Sequence, residues 1–231
     1  MRAARLVLAG GLAAGALVVA APASATNECR GLNPCVAVAG PWVVVPARGA
    51  TARAGAKYEL SCPRGWVVGG TDAELSDRAI AIAFLGAPGS PVSPGITTAR
   101  TMLFLGTYAG AAGRAPTFRP HIGCVPTSGA GRRTPTGVRA VFPPGTPTLR
   151  RVVTARIAGT RRVVAACHAD ERLVDWYATR AFGTPAPPPA PLVAGLSVRA
   201  AASGRAAVAV ARAARGQGIV QVGAVCAGGG R

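Results

Sequence analysis

The chain is poor in the groups from which most active sites are built. Its 231 residues include eight acidic side chains and two histidines, His121 and His168. No G-x-S-x-G elbow, H-E-x-x-H motif or C-x-x-C pair occurs, so the common hydrolase and zinc signatures are lacking. Aromatic residues make up 5% of the chain and none lies among its arginine pairs, which argues against specific nucleic-acid binding by base stacking. Past residue 25 no apolar run approaches the roughly 20 residues of a membrane-spanning helix, so no span is expected there. The last residues, Ala227-Gly228-Gly229-Gly230-Arg231, form no hydrophobic tail of the kind that precedes lipid anchoring.

What the N-terminus does contain is an export pattern. Arg2 and Arg5 precede an apolar run over residues 6–21, and Ala23-Ser24-Ala25 follows. This reads as a cleavable secretory signal peptide, residues 1–25, cut after Ala25. Gly10, Gly11 and Gly15 interrupt the run, which is too short for a permanent anchor. Arg2 and Arg5 are not adjacent, so the route for folded cargo has no support and the chain is expected to cross unfolded. Removing 25 of the 231 residues leaves 206, enough for one large domain or two of about 100. The net charge of +18 falls to +16 when Arg2 and Arg5 are lost.

All six cysteines, Cys29, Cys35, Cys62, Cys124, Cys167 and Cys226, lie beyond that signal. An even number in an exported chain points to disulfides, although spacing alone leaves every pairing open. Internal symmetry narrows the choice. Cys62 and Cys124 are 62 residues apart, and Cys167 and Cys226 are 59 apart. Alternation puts Tyr58, Leu60 and Cys62 on one strand face, as it does Val163, Ala165 and Cys167. Phe118, Pro120, Ile122 and Cys124 share a face, and so do Val220, Val222, Ala224 and Cys226. After each opening cysteine come an apolar step (Trp66-Val67-Val68 or Leu173-Val174), a polar stretch, and a proline-rich loop at residues 87–95 or 184–191. Met102-Leu103-Phe104-Leu105 then forms a second apolar segment, matched by residues 206–211. The latter are rich in Ala and Arg, which suit a helix, but the alternating Val208 and Val210 favour a strand.

The expectation is an all-β fold of two related β-sandwich-like units, each stapled by one disulfide, with an N-terminal segment and first unit at 26–126 and a second unit at 149–231. The bridges would be Cys62–Cys124 and Cys167–Cys226, contributing about 4 kcal/mol each, and Cys29–Cys35, contributing about 2 kcal/mol. Between the units, residues 127–148 are dense in Pro, Gly, Thr and Arg and read as a linker. Pro41-Trp42-Val43-Val44-Val45-Pro46 reads as one extra strand at the first unit's edge, with prolines suited to its ends.

The pattern Glu28-Cys29-Arg30-Gly31-Leu32, Cys35, Gly40-Pro41-Trp42-Val43, Leu60-Ser61-Cys62-Pro63 and Gly69-Gly70 resembles exported, cysteine-bounded β-repeat proteins of high-GC Gram-positive, actinobacterial-type bacteria. The resemblance covers mainly residues 27–126. The second unit departs from it, with His168 in place of Pro63 and no paired glycines. It implies a β-repeat fold and an extracellular address, and brings no activity with it.

Few residues are candidates for chemistry. Asp72, Glu74 and Asp77 cluster in what reads as one loop, and carboxylates so spaced could ligate Ca²⁺ or serve a glycosidase; Asp170, Glu171 and Asp175 form a looser counterpart. Pairing with arginines such as Arg78 and Arg172 is the plainer expectation in so basic a chain. His121 faces away from the core by alternation and is expected to be solvated; His168 beside Cys167 has no evident task. Trp42, Trp66 and Trp176 are expected in the core. The arginines are scattered apart from the pairs Arg132-Arg133, Arg150-Arg151 and Arg161-Arg162, which are candidates for contact with an anionic cell-envelope polymer. Plentiful Ala, Gly, Pro, Arg and Val also match what a GC-rich genome encodes. The expected function is a secreted, non-catalytic binding or structural module without a cofactor. The alternatives are a small secreted hydrolase using the 72–77 carboxylates and a polyanion-binding envelope protein.

Overall fold

The computed structural model describes residues 26–47, 55–85, 100–111, 113, 115–127 and 149–228. Residues 1–25, expected as a signal peptide, the proline-rich stretch at 87–95, and residues 128–148 of the expected linker, with Arg132 and Arg133, lie outside them. The described elements are β1 (Val36–Ala39), β2 (Trp42–Val44), β3 (Ala56–Ser61), β4 (Trp66–Leu75), β5 (Ile80–Leu85), β6 (Thr101–Tyr108), β7 (Thr117–Pro126), β8 (Leu149–Ala166), β9 (Glu171–Phe182), the helical turn α1 (Ala190–Ala194), β10 (Leu196–Ser203) and β11 (Ala206–Gly228). The fold is all-β.

Local sequence accounts for the strand faces. In β3, Ala56, Tyr58 and Leu60 are buried and the residues between them turn outward. Burial pushes the Tyr58 hydroxyl up to about 12, because the phenolate loses its hydration there. Residues 206–211 are strand, but the faces are distributed unexpectedly. Ala207, Ala209 and Ala211 are buried, whereas Val208 and Val210 point out. The interior of this half is filled by alanines together with Phe182 at the end of β9, Ile157, Val163, Val193, Leu196, Val220 and Val222.

Three strands, in the order β3-β6-β5, form one sheet. The other eight form a second, in which β7 carries β4 on one edge and β1 and β2 along the other, while β11 carries β8 on one edge and β9 and β10 along the other. Each half is a sandwich of two layers. Cys62, at the end of β3, bonds Cys124 on β7 and so ties the small sheet to the large one. In the second half, the Cys167 N–H donates to the Arg205 carbonyl just before β11, and its sulfur bonds Cys226 near the strand's far end. A straight strand would separate those two ends by roughly 65 Å at 3.3 Å per residue. The β8–β11 ribbon therefore doubles over. The folds lie at Gly159, whose φ of 82° suits glycine, and at residues 214–217, where the β8 register shifts and Gly216 has φ 63°.

With that fold recognised, the halves correspond strand for strand. The first part of β8 matches β1 and β2, its second part matches β3, β9 matches β4, β10 matches β5, and the two parts of β11 match β6 and β7. The Cys62 N–H donates to the Arg100 carbonyl as that of Cys167 does to Arg205. A bulge follows each opening cysteine at the same offset. Gly69 is skipped opposite the step from Cys124 to Gly123, and Val174 opposite the step from Cys226 to Val225.

The extra strand does more than edge the first half. β2 pairs with both β7 and β9, making one sheet of layers from the two sandwiches. Beside it, the buried Gln221 acts as a substitute strand for the free edge of β3. Its Oε1 accepts from the Glu59 N–H at 2.6 Å, and its Nε2 donates to the Glu59 carbonyl at 3.0 Å. The Tyr177 hydroxyl also donates to Gln221 Oε1, and burial raises that hydroxyl's pKa. The Tyr177 ring lies against Gly223, where a Cβ would collide with it. Arg150 to Glu59 at 2.6 Å and Lys57 to Asp175 at 2.9 Å complete the junction.

Gln221→Ala removes both partners of the Glu59 backbone at a water-poor junction. It is expected to cost about 3 kcal/mol, read as a lower urea midpoint with the slope of the transition unchanged.

Candidate functional site

The N-terminal segment packs on the outer face of β4 and β7. Gly70 and Gly123 face each other beside the bulge, and a Cβ on either would run into the Glu28 backbone. The Cys29–Cys35 bridge closes the loop that follows. This cover changes the setting of His121. Alternation does turn its side chain outward, but the histidine is buried, which overturns the expectation of a solvated ring. Its Nε2 lies 2.7 Å from Glu74 Oε1, and its Nδ1 lies 3.6 Å from Glu28 Oε1. Arg119 lies 3.7 Å from Glu74.

The carboxylates of the first half do not occupy one loop. Asp72 and Glu74 lie within β4, opposite His121 and Arg119 of β7, and only Asp77 follows in the turn. Each is taken by different partners. Asp72 accepts from the Asn27 N–H at 2.6 Å, Glu74 meets His121, and Asp77 accepts from the Ala79 N–H and the Tyr108 hydroxyl. The strand separates them where a loop would have let them converge. In the second half, Glu171 takes two hydrogen bonds from Arg151 and one from the His168 N–H. It sits beside Cys167 and Cys226, but those sulfurs are bonded to each other and supply no thiolate to a metal. Trp42 is buried, while Trp66 and Trp176 are half-buried against the two cores.

The candidate arginines divide likewise. Arg150 and Arg151 are engaged by Glu59 and Glu171 and are not open to a polymer, since the junction and the second half's own carboxylate use them. Arg161 is exposed and bonds the Arg156 carbonyl. Arg162 belongs to a larger arrangement, the outer face of β10, the first part of β11 and the second part of β8. Cross-strand rows there are Ser197, Arg212 and Thr160; Arg199, Val210 and Arg162; Ala201, Val208 and Val164; and Ser203, Ala206 and Ala166. Arg199 and Arg162 flank Val210 on neighbouring strands, so their Cα atoms are about 10 Å apart, and Arg212 is two residues along the same face, about 7 Å away. None of these three arginines forms an ion pair with a described residue, and no carboxylate stands in the four rows. Val210, 48% exposed, is the most exposed large apolar side chain described.

This face combines unneutralised guanidinium groups with a flat apolar strip, which suits contact with an extended anion. Arg199 and Arg212 were not singled out by sequence, and Val210 only as a sign of a strand. The period-2 pattern across 196–212 carried them, but only the pairing of β10, β11 and β8 brings them into one row. The chain matches no protein-family model, no curated protein and no solved structure.

Glu171 carries a pH signature. The Arg151 hydrogen bonds, then that of the His168 N–H, hold its carboxyl below its ordinary 4.5, so the folded state favours the ionised form. That stabilisation is complete above 4.5 and disappears as pH falls through the lower folded value. Thermal melts from pH 6 to pH 2.5 are expected to give Glu171→Gln a shallower acid-side loss than the parent chain; equal slopes would contradict the assignment.

Proposed function

We propose that the protein is an exported, non-catalytic binding module of the cell envelope or extracellular space, and that it engages an anionic polymer through the outer face of β10, β11 and β8. One observation carries the reading: Arg162, Arg199 and Arg212 cluster around Val210 on a face without a carboxylate. Like charges gathered this way repel one another, and a polyanion would relieve that cost while releasing its own counterions. Val164, Val208 and Val210 give the partner's backbone an apolar strip to lie on. Three disulfides that use all six cysteines suit an oxidising compartment, where such polymers are met. No described helix is long and apolar enough to cross a membrane. The non-catalytic reading draws on the 72–77 carboxylates, each bound to a different neighbour.

Chromatography of the disulfide-bonded protein on immobilised polyphosphate tests this. The parent chain is expected to be retained at low salt and released as salt rises. The triple variant Arg162→Gln, Arg199→Gln, Arg212→Gln is expected to elute earlier, with the slope of log affinity against log salt reduced by about 2. A control triple at the exposed Arg30, Arg64 and Arg78 changes net charge equally and is expected to move elution far less. Equal effects of the two triples would show that net charge, not this face, does the binding.

A further inference from the structure

The N-terminal cover buries a carboxylate that is only half satisfied among the described residues. Glu28 is 5% exposed, yet its Oε2 has no hydrogen-bond partner among the described residues. Its other oxygen accepts from the Thr26 hydroxyl at 3.1 Å and approaches His121 Nδ1 at 3.6 Å. Asp72 lies alongside, its Oδ2 bound to the Asn27 N–H, and Glu74 of the same strand stands on the far side of His121. The charged and titratable groups facing this spot are therefore Glu28 of the segment itself, Asp72 and Glu74 of β4, and His121 and Arg119 of β7. Three carboxylates face one guanidinium and one imidazole, in a chain whose net charge is +18. Burying a carboxylate oxygen without a donor is costly, and a cation seated beside it would offset that cost.

Such a cation is one bond cleavage away. Cleavage after Ala25 would leave Thr26 first, with its α-nitrogen as an ammonium. That nitrogen is two bonds from the Cβ bearing the Thr26 hydroxyl, so covalent reach keeps it within about 7 Å of Glu28 Oε1. It is also the neighbour in sequence of the Asn27 N–H held by Asp72. We infer that the processed N-terminus docks into this pocket: the Thr26 α-ammonium donates to the buried Glu28 carboxylate and pairs with Asp72, locking the N-terminal segment onto β4 and β7. The inference rests on the export reading and on cleavage at Ala25, because an uncut chain has an uncharged amide at this point. The signal peptide's removal would then complete the fold as well as release the chain.

The test begins with the N-terminal sequence of the exported protein, where Thr26 is expected; a different first residue overturns the cleavage after Ala25 on which the inference rests. The remaining arms use the oxidised chain beginning at Thr26, released in vitro so that they stand apart from export. Its thermal midpoint is compared with that of the same chain acetylated at the α-nitrogen and of a form that retains Ala25. Lys57 is the only lysine, and Lys57→Arg keeps acetylation confined to the terminus. Both altered forms keep an N–H at residue 26; acetylation removes the charge, and the form retaining Ala25 carries it one residue, about 3.8 Å, away. Each is expected to melt about 3 °C lower or more, and the decrement is expected to vanish in a Glu28→Gln, Asp72→Asn background. Unchanged midpoints on blocking, or a decrement of equal size in that background, would overturn the docking. Amide exchange over residues 27–35 gives a second readout, expected to be faster in the blocked forms and overturning the docking if unchanged.

Discussion

Each half of the molecule depends on one covalent tie between its layers. Cys62 to Cys124 and Cys167 to Cys226 close loops of similar length, and each joins the end of one layer's strand, β3 or the second part of β8, to the strand that completes its half. The tie is most consequential in the second half, whose buried β11 side chains include Ala207, Ala209, Ala211 and Ala224. Alanine buries little area, and burial stabilises at about 25 cal/mol per Å². The first half has Met102, Phe104, Phe118 and Ile122 at the equivalent level and a larger apolar payload. A cross-link that restricts the unfolded chain compensates for a core of small side chains. It also holds together the two ends of a ribbon that would otherwise extend.

The two halves then use the same connectivity in different ways. In the first, chain breaks fall between β2 and β3 and between β6 and β7, giving two sheets. In the second, the corresponding places are bends at Gly159 and residues 214–217, and the strands run through. The halves join where the first leaves an edge open. Gln221 satisfies the Glu59 backbone, and β2 pairs to both sides, so an edge that would invite association with other chains is closed within the molecule. That closure leaves the outer face of β10, β11 and β8 as the broad surface on which arginines accumulate without acids.

Much of the fold was legible in sequence because its determinants are local or periodic. The faces around the four long-range cysteines follow from alternation, and the matched spacings identify the bridges. The strand at 206–211 was legible from Val208 and Val210, although those valines face outward and the alanines inward. What escaped depends on contacts distant in sequence. His121 is buried because residues 26–35 cover the outer face of β4, and nothing in the strand's own pattern announces a cover. Gly70 and Gly123 mark it only once Glu28 is seen against them. The 72–77 carboxylates looked like one loop because acidic residues are rare within strands, yet in β4 Glu74 meets His121 and Arg119 across the sheet and Asp72 accepts from the Asn27 N–H of the covering segment. Arg150 and Arg151 looked equivalent to Arg161 and Arg162 until Glu59 and Glu171 engaged the first pair.

The repeated cross-layer tie is most directly examined by peptide mass spectrometry of the oxidised, unreduced protein. Three linkages are expected, Cys29–Cys35, Cys62–Cys124 and Cys167–Cys226, with no other pairing at stoichiometric yield. A bridge between the halves, such as Cys62 to Cys226, would contradict this tie, because no two-layer sandwich of the form described closes with that connection.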